Sequence, residues 1–277
     1  MMRAGLLQLN VSDDPRQNLP VTLDYLAEAA AQGAQMVFTP EVTNCVSLSR
    51  ARQRTVLQDE ADDPTLAALR EAAATHGIWL SIGSLGLQTG DPDGRFANRS
   101  FVIDPSGEIT ARYDKIHMFD VQVTETETFR ESEGYRPGST AVCADTPFGR
   151  FGLSICYDVR FPQLYQALAD NGAEILTVPA AFSPVTGAAH WHSLLRARAI
   201  ETGCFVVAAA QTGEHDSADG KTRRTFGHSL VVGPWGDVIL DAGDAPGVYL
   251  CDMYLQQVAD ARRRVPSMTH KRRFDGP

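Results

Sequence analysis

A cysteine closes the apolar run of "GRFGLSICYDVRFPQL", residues 149–164, and a tyrosine, two charges and a proline follow at once. A buried cysteine packs as a small hydrophobe and needs no polar company. Cys156 is therefore either the plain end of a strand or a thiol at the mouth of a site. At its ordinary pKa a thiol is only slightly ionised at neutral pH, so a nucleophilic cysteine needs a base or a positive neighbour. His117, His190, His192 and His228 are available, but none stands in a recognisable cysteine-protease context, and spacing alone pairs none of them with Cys156. A carboxylate base with a lysine is the other route. "FTPE" supplies Glu41 and "YDKIH" supplies Lys115.

The elements that must position these residues read as short apolar runs alternating with helical patterns. "AGLLQLNV" predicts a strand. Leu19, Leu23, Leu26 and Ala30 then recur at helical spacing until Gly33, and "QMVFTPE" is a second short apolar run. Pro64 stands at a first helical position, Leu66, Leu69 and Ala73 follow it, Gly77 ends the pattern, and "IWLSIGSLGL" predicts a strand. "ANRSFVIDPSGEITARYDKIHMF" reads as a hairpin about "DPSG", and "HSLVVGPWGDVIL" as another. Between them come a helix from Phe161 onward, a strand in "EILTVPAAF", a helix in "HWHSLLRARAIETG" and a strand in "CFVVAAAQTG". This is an α/β pattern with strands buried on both faces. In open α/β sheets ligands collect beyond the carboxyl ends of strands, where Glu41, Cys156 and the stretch holding Phe182, Ser183 and Thr186 all fall.

The chain of 277 residues is 43% hydrophobic, enough for a sizeable core, and is expected to form one domain over residues 1–277. A net charge of −9 offers no attraction to phosphate backbones or anionic lipid, so neither nucleic acid nor membrane is expected as a partner. No stretch has the length of a membrane span or of a signal peptide's apolar region, which predicts a soluble, cytoplasmic protein. The five cysteines, Cys45, Cys143, Cys156, Cys204 and Cys251, show neither CxxC spacing nor a disulfide framework. "HWHS" has the look of a metal pair, but positions i and i+2 of a helix do not share a face and no Cys/His cluster completes a site. No metal and no cofactor are expected. The basic tail "ARRRVPSMTHKRR" reads as a solvated or interfacial segment, and "GPWG" as a turn rather than a phosphate cradle.

Taken together and in order, "FTPE", "YDKIHMFD" and "GLSICYDVRFP" resemble the nitrilase-like carbon–nitrogen hydrolases, whose catalytic set is glutamate, lysine and cysteine. "FRES", "RPGS", "GAEILTVPAAF", "TGAAHWHSLLRARAIE" and "GHSLVVGPWG" extend the resemblance over nearly the whole chain, towards the amidase branch that includes ω-amidases and deaminated-glutathione amidases. Nitrilases proper usually carry tryptophan and glutamate after the cysteine. Tyr157 and Asp158 stand here instead, which disfavours nitrile hydrolysis. The fold implied is a four-layer α-β-β-α sandwich.

The resemblance also implies roles. Cys156 would attack an amide carbonyl as Glu41 takes its proton, and Glu41 would then protonate the leaving amine and activate water against the thioester. Lys115 and the Tyr157 backbone N–H would meet the oxyanion. Glu131 of "FRES" matches a second family glutamate that would hold the lysine and help position substrate. Arg160, four residues past the nucleophile, is a candidate for a substrate carboxylate, and Phe182 and Thr186 are candidates for the pocket wall. A short ω-amide such as 2-oxoglutaramate or deaminated glutathione is the expected substrate, releasing a 2-oxo dicarboxylate. An N-carbamoyl amide hydrolase, or a subunit used mainly for binding, are the alternatives. The segment after Glu41, "VTNCVSLSR", is less aromatic than in close relatives, so the distal pocket is where substrate choice would differ. A homodimer or higher homo-oligomer is expected.

Overall fold

In the computed structural model, which describes residues 1–125 and 127–276, strand Met36–Phe38 shows how the layers arise. Successive side chains of a strand point to opposite faces. Met36 and Phe38 enter one buried cluster while Val37 enters another. The cluster containing Val37 also holds Leu26 and Ala29 of α1 (Pro15–Ala31) and Leu66, Leu69 and Ala73 of a helix further on. The Phe38 ring instead stacks on Phe151 of a second sheet, centroids 6.0 Å apart. One face of the sheet thus packs against helices and the other against a second sheet.

The first sheet has six strands in the order Gly247–Met253, Met2–Gln8, Met36–Phe38, Trp79–Leu87, Ala97–Ile103 and Ile109–Asp114. The second runs Val238–Asp241, Leu230–Val232, Phe205–Ala208, Ile175–Thr177, Gly149–Leu153 and Cys143–Thr146. The remaining helices are α2 (Arg50–Val56), α3 (Pro64–His76), α4 (Pro162–Asp170), α5 (Pro184–Thr202) and α6 (Gln256–Arg264). Helices α1 and α3 cover the first sheet, and α4 and α5 the second. The expected four-layer α-β-β-α sandwich is the architecture found. Burying a Leu, Val, Ile or Phe side chain stabilises a fold by about 1.5–3 kcal/mol, and both inner faces are lined with them.

Local chemistry sets the helix ends. Asp14 and Asp63 cap α1 and α3 by accepting from Arg16 N and Leu66 N, and Pro15 and Pro64 take the first helical positions. Gly77 closes α3 at φ 63°, a left-handed conformation in which a side chain is strained. The "DPSG" hairpin joins Ala97–Ile103 to Ile109–Asp114, as its turn residues predict.

Some elements differ from the sequence reading. "EILTVPAAF" yields a strand only over Ile175–Thr177, and the next helix starts at Pro184, before "HWHS". The strand before Cys156 stops at Leu153. Helix α2, the last strand Gly247–Met253 and the pair Thr212–His215 with Arg223–Phe226 carry weak periodicity and form because tertiary partners pair or cover them. Among the described residues, no helix is long and apolar enough to cross a membrane.

Candidate active site

Glu41 lies three residues past strand Met36–Phe38 and is 4% exposed. Its Oε1 accepts from Lys115 Nζ at 2.8 Å and Asn98 Nδ2 at 2.9 Å, and its Oε2 accepts from the Ala181 N–H at 2.9 Å. The acid therefore ties the first sheet to the end of a strand in the second. Close approach here demands a glycine: a Cβ on Gly83 would lie 2.1 Å from the Thr39 carbonyl oxygen and 2.5 Å from that of Pro40.

Lys115 directly follows strand Ile109–Asp114 and is 2% exposed. Its ammonium also reaches both oxygens of Glu131, at 2.9 and 2.8 Å. Glu131 is fixed from behind by the Phe119 N–H, which donates to Oε2 at 2.7 Å. Cys156 opens a 3-10 turn, Cys156–Arg160, with φ 50°, and its N–H donates to the Pro179 carbonyl at 2.9 Å. A non-glycine residue in the left-handed region costs of order 1–3 kcal/mol and persists only where its surroundings enforce it. Asp158 supplies much of that enforcement. Fully buried, it accepts from the Ile155 N–H at 2.8 Å, Tyr113 Oη at 2.6 Å and the His117 N–H at 3.0 Å. Tyr157 is the second residue of that turn, directly after Cys156.

The charges form a set. Burial pushes Glu41 up, but Lys115, an ion pair and hydrogen-bond donor to it, and Arg223 outweigh this and leave it below the usual value of 4.5. Burial opposes the Lys115 charge, yet Glu131, Glu41 and the neighbouring thiol hold its pKa well above normal. The Cys156 thiol is pushed well above 9.0 by burial and by Glu41, with Lys115 opposing. The resting site is thus carboxylate, ammonium and neutral thiol. Such a thiol attacks only as its proton leaves, and Glu41 lines the same cavity.

A pH dependence follows. Below the lowered pKa of Glu41 the carboxylate is protonated and no longer accepts the thiol proton, so activity is lost only below 4.5. On the alkaline side, loss requires ionisation of groups raised above 9.0. Steady-state measurement of kcat/KM should therefore give a plateau from about pH 5.5 to 8.5. An acid limb centred at neutral pH would contradict this charge assignment.

Glu41, Lys115, Glu131 and Cys156 line one cavity of about 480 Å³, together with Tyr157 and Phe182. Arg160 and Thr186 do not line it. The Arg160 guanidinium packs outside, 5.8 Å from the Tyr157 ring centroid and 5.5 Å from that of Phe182, with Nη2 3.3 Å from His190 Nδ1. Thr186 lies in the first turn of α5, its hydroxyl 3.5 Å from the Ser183 carbonyl. His190 and His192 do not converge, as expected of i and i+2. Asn98 and Asp158 were not singled out from the sequence, nor were the cavity's other cations, Arg50, Arg130, Lys221 and Arg223. "CYD", which puts Asp158 beside the nucleophile, and "VTNCVSLSR", which ends in Arg50, are the signals that pointed to any of them. The segment "VTNCVSLSR" does form cavity wall, through Val42, Cys45, Ser47, Leu48 and Arg50.

Two packed sheets that bring a carboxylate, an ammonium and a thiol to one cavity define a carbon–nitrogen hydrolase architecture, and the sequence model of the carbon-nitrogen hydrolase family matches residues 3–263. The chain belongs to that family and is a hydrolase of carbon–nitrogen bonds other than peptide bonds. It is 41% identical over 269 residues to the deaminated glutathione amidase of Yersinia enterocolitica, covering 97% of this chain and 92% of that one. The NitFhit protein of C. elegans is similar in structure, with a TM-score of 0.87 and 37% identity, over 98% of this chain and 65% of that one. Saccharomyces cerevisiae Nit3, a member of branch 10 of the nitrilase superfamily, gives a TM-score of 0.84 at 28% identity over 99% of this chain and 97% of that one.

Proposed function

We propose that Cys156, Glu41 and Lys115 are the catalytic residues of an amidase whose substrate is a small anionic ω-amide of the deaminated-glutathione or 2-oxoglutaramate type. As Cys156 Sγ bonds to the amide carbon, its proton passes to Glu41, and the carbonyl oxygen takes the negative charge between Lys115 Nζ and the Tyr157 N–H. Glu41 returns the proton to the leaving amine as the C–N bond breaks. A thioester remains. Water then gives its proton to Glu41 as it attacks, and the thiolate leaving group is reprotonated by the same acid. Glu131 keeps the ammonium aimed at the reacting oxygen.

The observation that carries the substrate class is the sign of the cavity. In a chain of net charge −9, five cationic side chains line it against the carboxylates of Glu41, Glu131 and Glu133. Five cations against three carboxylates leave a surplus of two positive charges, and Arg50, Arg130, Lys221 and Arg223 are the candidates to meet substrate carboxylates. The amidase from Yersinia enterocolitica supports the same class.

The test is a panel with matched pairs, each anionic ω-amide beside its neutral methyl ester, with product measured as free amine or ammonia. The anionic members should be preferred at least about tenfold in kcat/KM. Equal turnover of the neutral partners would remove the substrate class, and carbon dioxide release from N-carbamoyl compounds would replace it with the carbamoyl hydrolase reading. The same reading takes residues 1–277 as one domain acting in the cytoplasm, which five free cysteines favour. It also takes the protein as a homodimer or higher homo-oligomer, and sedimentation as a monomer at micromolar concentration would exclude that.

A further inference from the structure

Among the described residues, three non-glycine residues have positive φ: Val42 at 48°, Cys156 at 50° and His228 at 54°. The first two flank the cavity described above. His228 does not line it, yet its conformation is enforced just as firmly. The His228 N–H donates to the Gly243 carbonyl at 2.6 Å, its own carbonyl accepts from the Trp191 indole Nε1 at 2.9 Å, and its ring stacks on Phe226 with centroids 4.4 Å apart. Strain of this kind gathers at sites that must aim a side chain.

What His228 is aimed at is Asp241. His228 Nδ1 lies 2.8 Å from Asp241 Oδ1, and His192 Nε2 lies 2.8 Å from Asp241 Oδ2. The Gly243 N–H holds Oδ1 from a third side at 3.0 Å. The three residues come from the middle of α5, the segment before strand Leu230–Val232 and the end of strand Val238–Asp241. One donor atom from each lies within 4.8 Å of the others. Trp191, buried beside His192 in α5, is the group bonded to the His228 carbonyl, so the two histidines are pinned to each other through the backbone. The three side chains are about one-third exposed, at 38%, 28% and 34%, which leaves room for an ion to enter and for water to complete its shell.

From this convergence we infer that His192, His228 and Asp241 form a binding site for a late first-row divalent cation, zinc in the first instance, separate from the amidase cavity. Two imidazole nitrogens and one carboxylate oxygen are a zinc donor set, and a hard oxygen-seeking cation such as magnesium does not prefer them. Zinc lies about 2.0–2.2 Å from such donors, which sets ligand atoms further apart than the 2.8 Å of each His–Asp pair, so the ion displaces the shared protons as the carboxylate draws back slightly from both imidazoles. The proposal departs from the expectation of no metal, which weighed "HWHS" alone: that motif contributes only one ligand, and the others stand 36 and 49 positions further on. The ion would clamp α5 to the hairpin formed by strands Leu230–Val232 and Val238–Asp241.

The test is calorimetric titration of zinc chloride into the untagged full chain, in a Cys156→Ala background that removes the reactive thiol as a competing ligand. One equivalent should bind at micromolar dissociation constant or tighter. Affinity should fall at least about tenfold in His192→Gln and in Asp241→Asn. Far-UV circular dichroism verifies that each variant is folded, and zinc should raise the melting temperature of the parent but of neither variant. Absence of stoichiometric binding to the parent, or undiminished binding in both variants, overturns the inference; the reading of the amidase cavity is unaffected by either.

Discussion

Cys156→Ala should lose hydrolysis by roughly 10⁵–10⁶-fold, the scale at which removal of a nucleophile leaves only the contribution of the surrounding site. Mass spectrometry of the parent protein quenched during turnover should show an acyl adduct on the peptide bearing Cys156, absent from the variant. Cys45 also lines the cavity, but it does not take over: burial and the neighbouring Asp13 push its thiol up to about 12, and its Sγ lies 3.6 Å from the Asp13 carbonyl oxygen. Glu41 shares the cavity lining with Cys156 and acts electrostatically on its thiol. Full product release by Cys156→Ala, or an adduct on Cys45, would refute the assignment.

Lys115→Met should damage both the rate and the fold. Loss of one oxyanion donor lowers kcat by about 10²–10³-fold. The same change strands Glu41 and Glu131 together, and breaking a buried ion pair by removing one partner costs about 3–5 kcal/mol, read as a lower urea midpoint. The two effects separate in the double variant Lys115→Met/Glu131→Gln. Removing the second carboxylate's charge should recover part of the midpoint and none of the rate. Recovery of the rate as well would mean that Lys115 acts only as structural support.

Much of this was legible because each signal was local. Pro64 and Gly77 bracket α3, "DPSG" turns its hairpin, and Val37 between Met36 and Phe38 marks a strand buried on both sides. Glu41 and Cys156 were reached at predicted strand ends and Lys115 through the motif "YDKIH", and they meet in one cavity. What could not be read depends on distance in the chain. Asn98 looks like any strand residue until the fold sets it 2.9 Å from Glu41, 57 positions away. Arg223 belongs to a short hairpin with little hydrophobic pattern, whereas Arg160 looked suitable from its spacing alone. The backbone turn at Cys156 carries Arg160 away from the opening and onto the outer side of Tyr157 and Phe182. The start of α5 was missed because Pro184 and Gly187 weaken helix propensity, whereas as the first helical residue Pro184 is well placed.

The cavity's floor and its rim are built from different material. Glu41, Lys115 and Cys156 are locked into the seam between the sheets, where any change disturbs architecture as well as chemistry. Leu48, Arg130, Lys221 and Arg223 sit instead on connections and two-stranded pieces outside the two large sheets, and none of these four belongs to a buried cluster. New amide specificities can therefore arise by exchanging the rim over an unchanged reaction centre, so descendants of such a chain are free to diversify in diet without relearning how to fold.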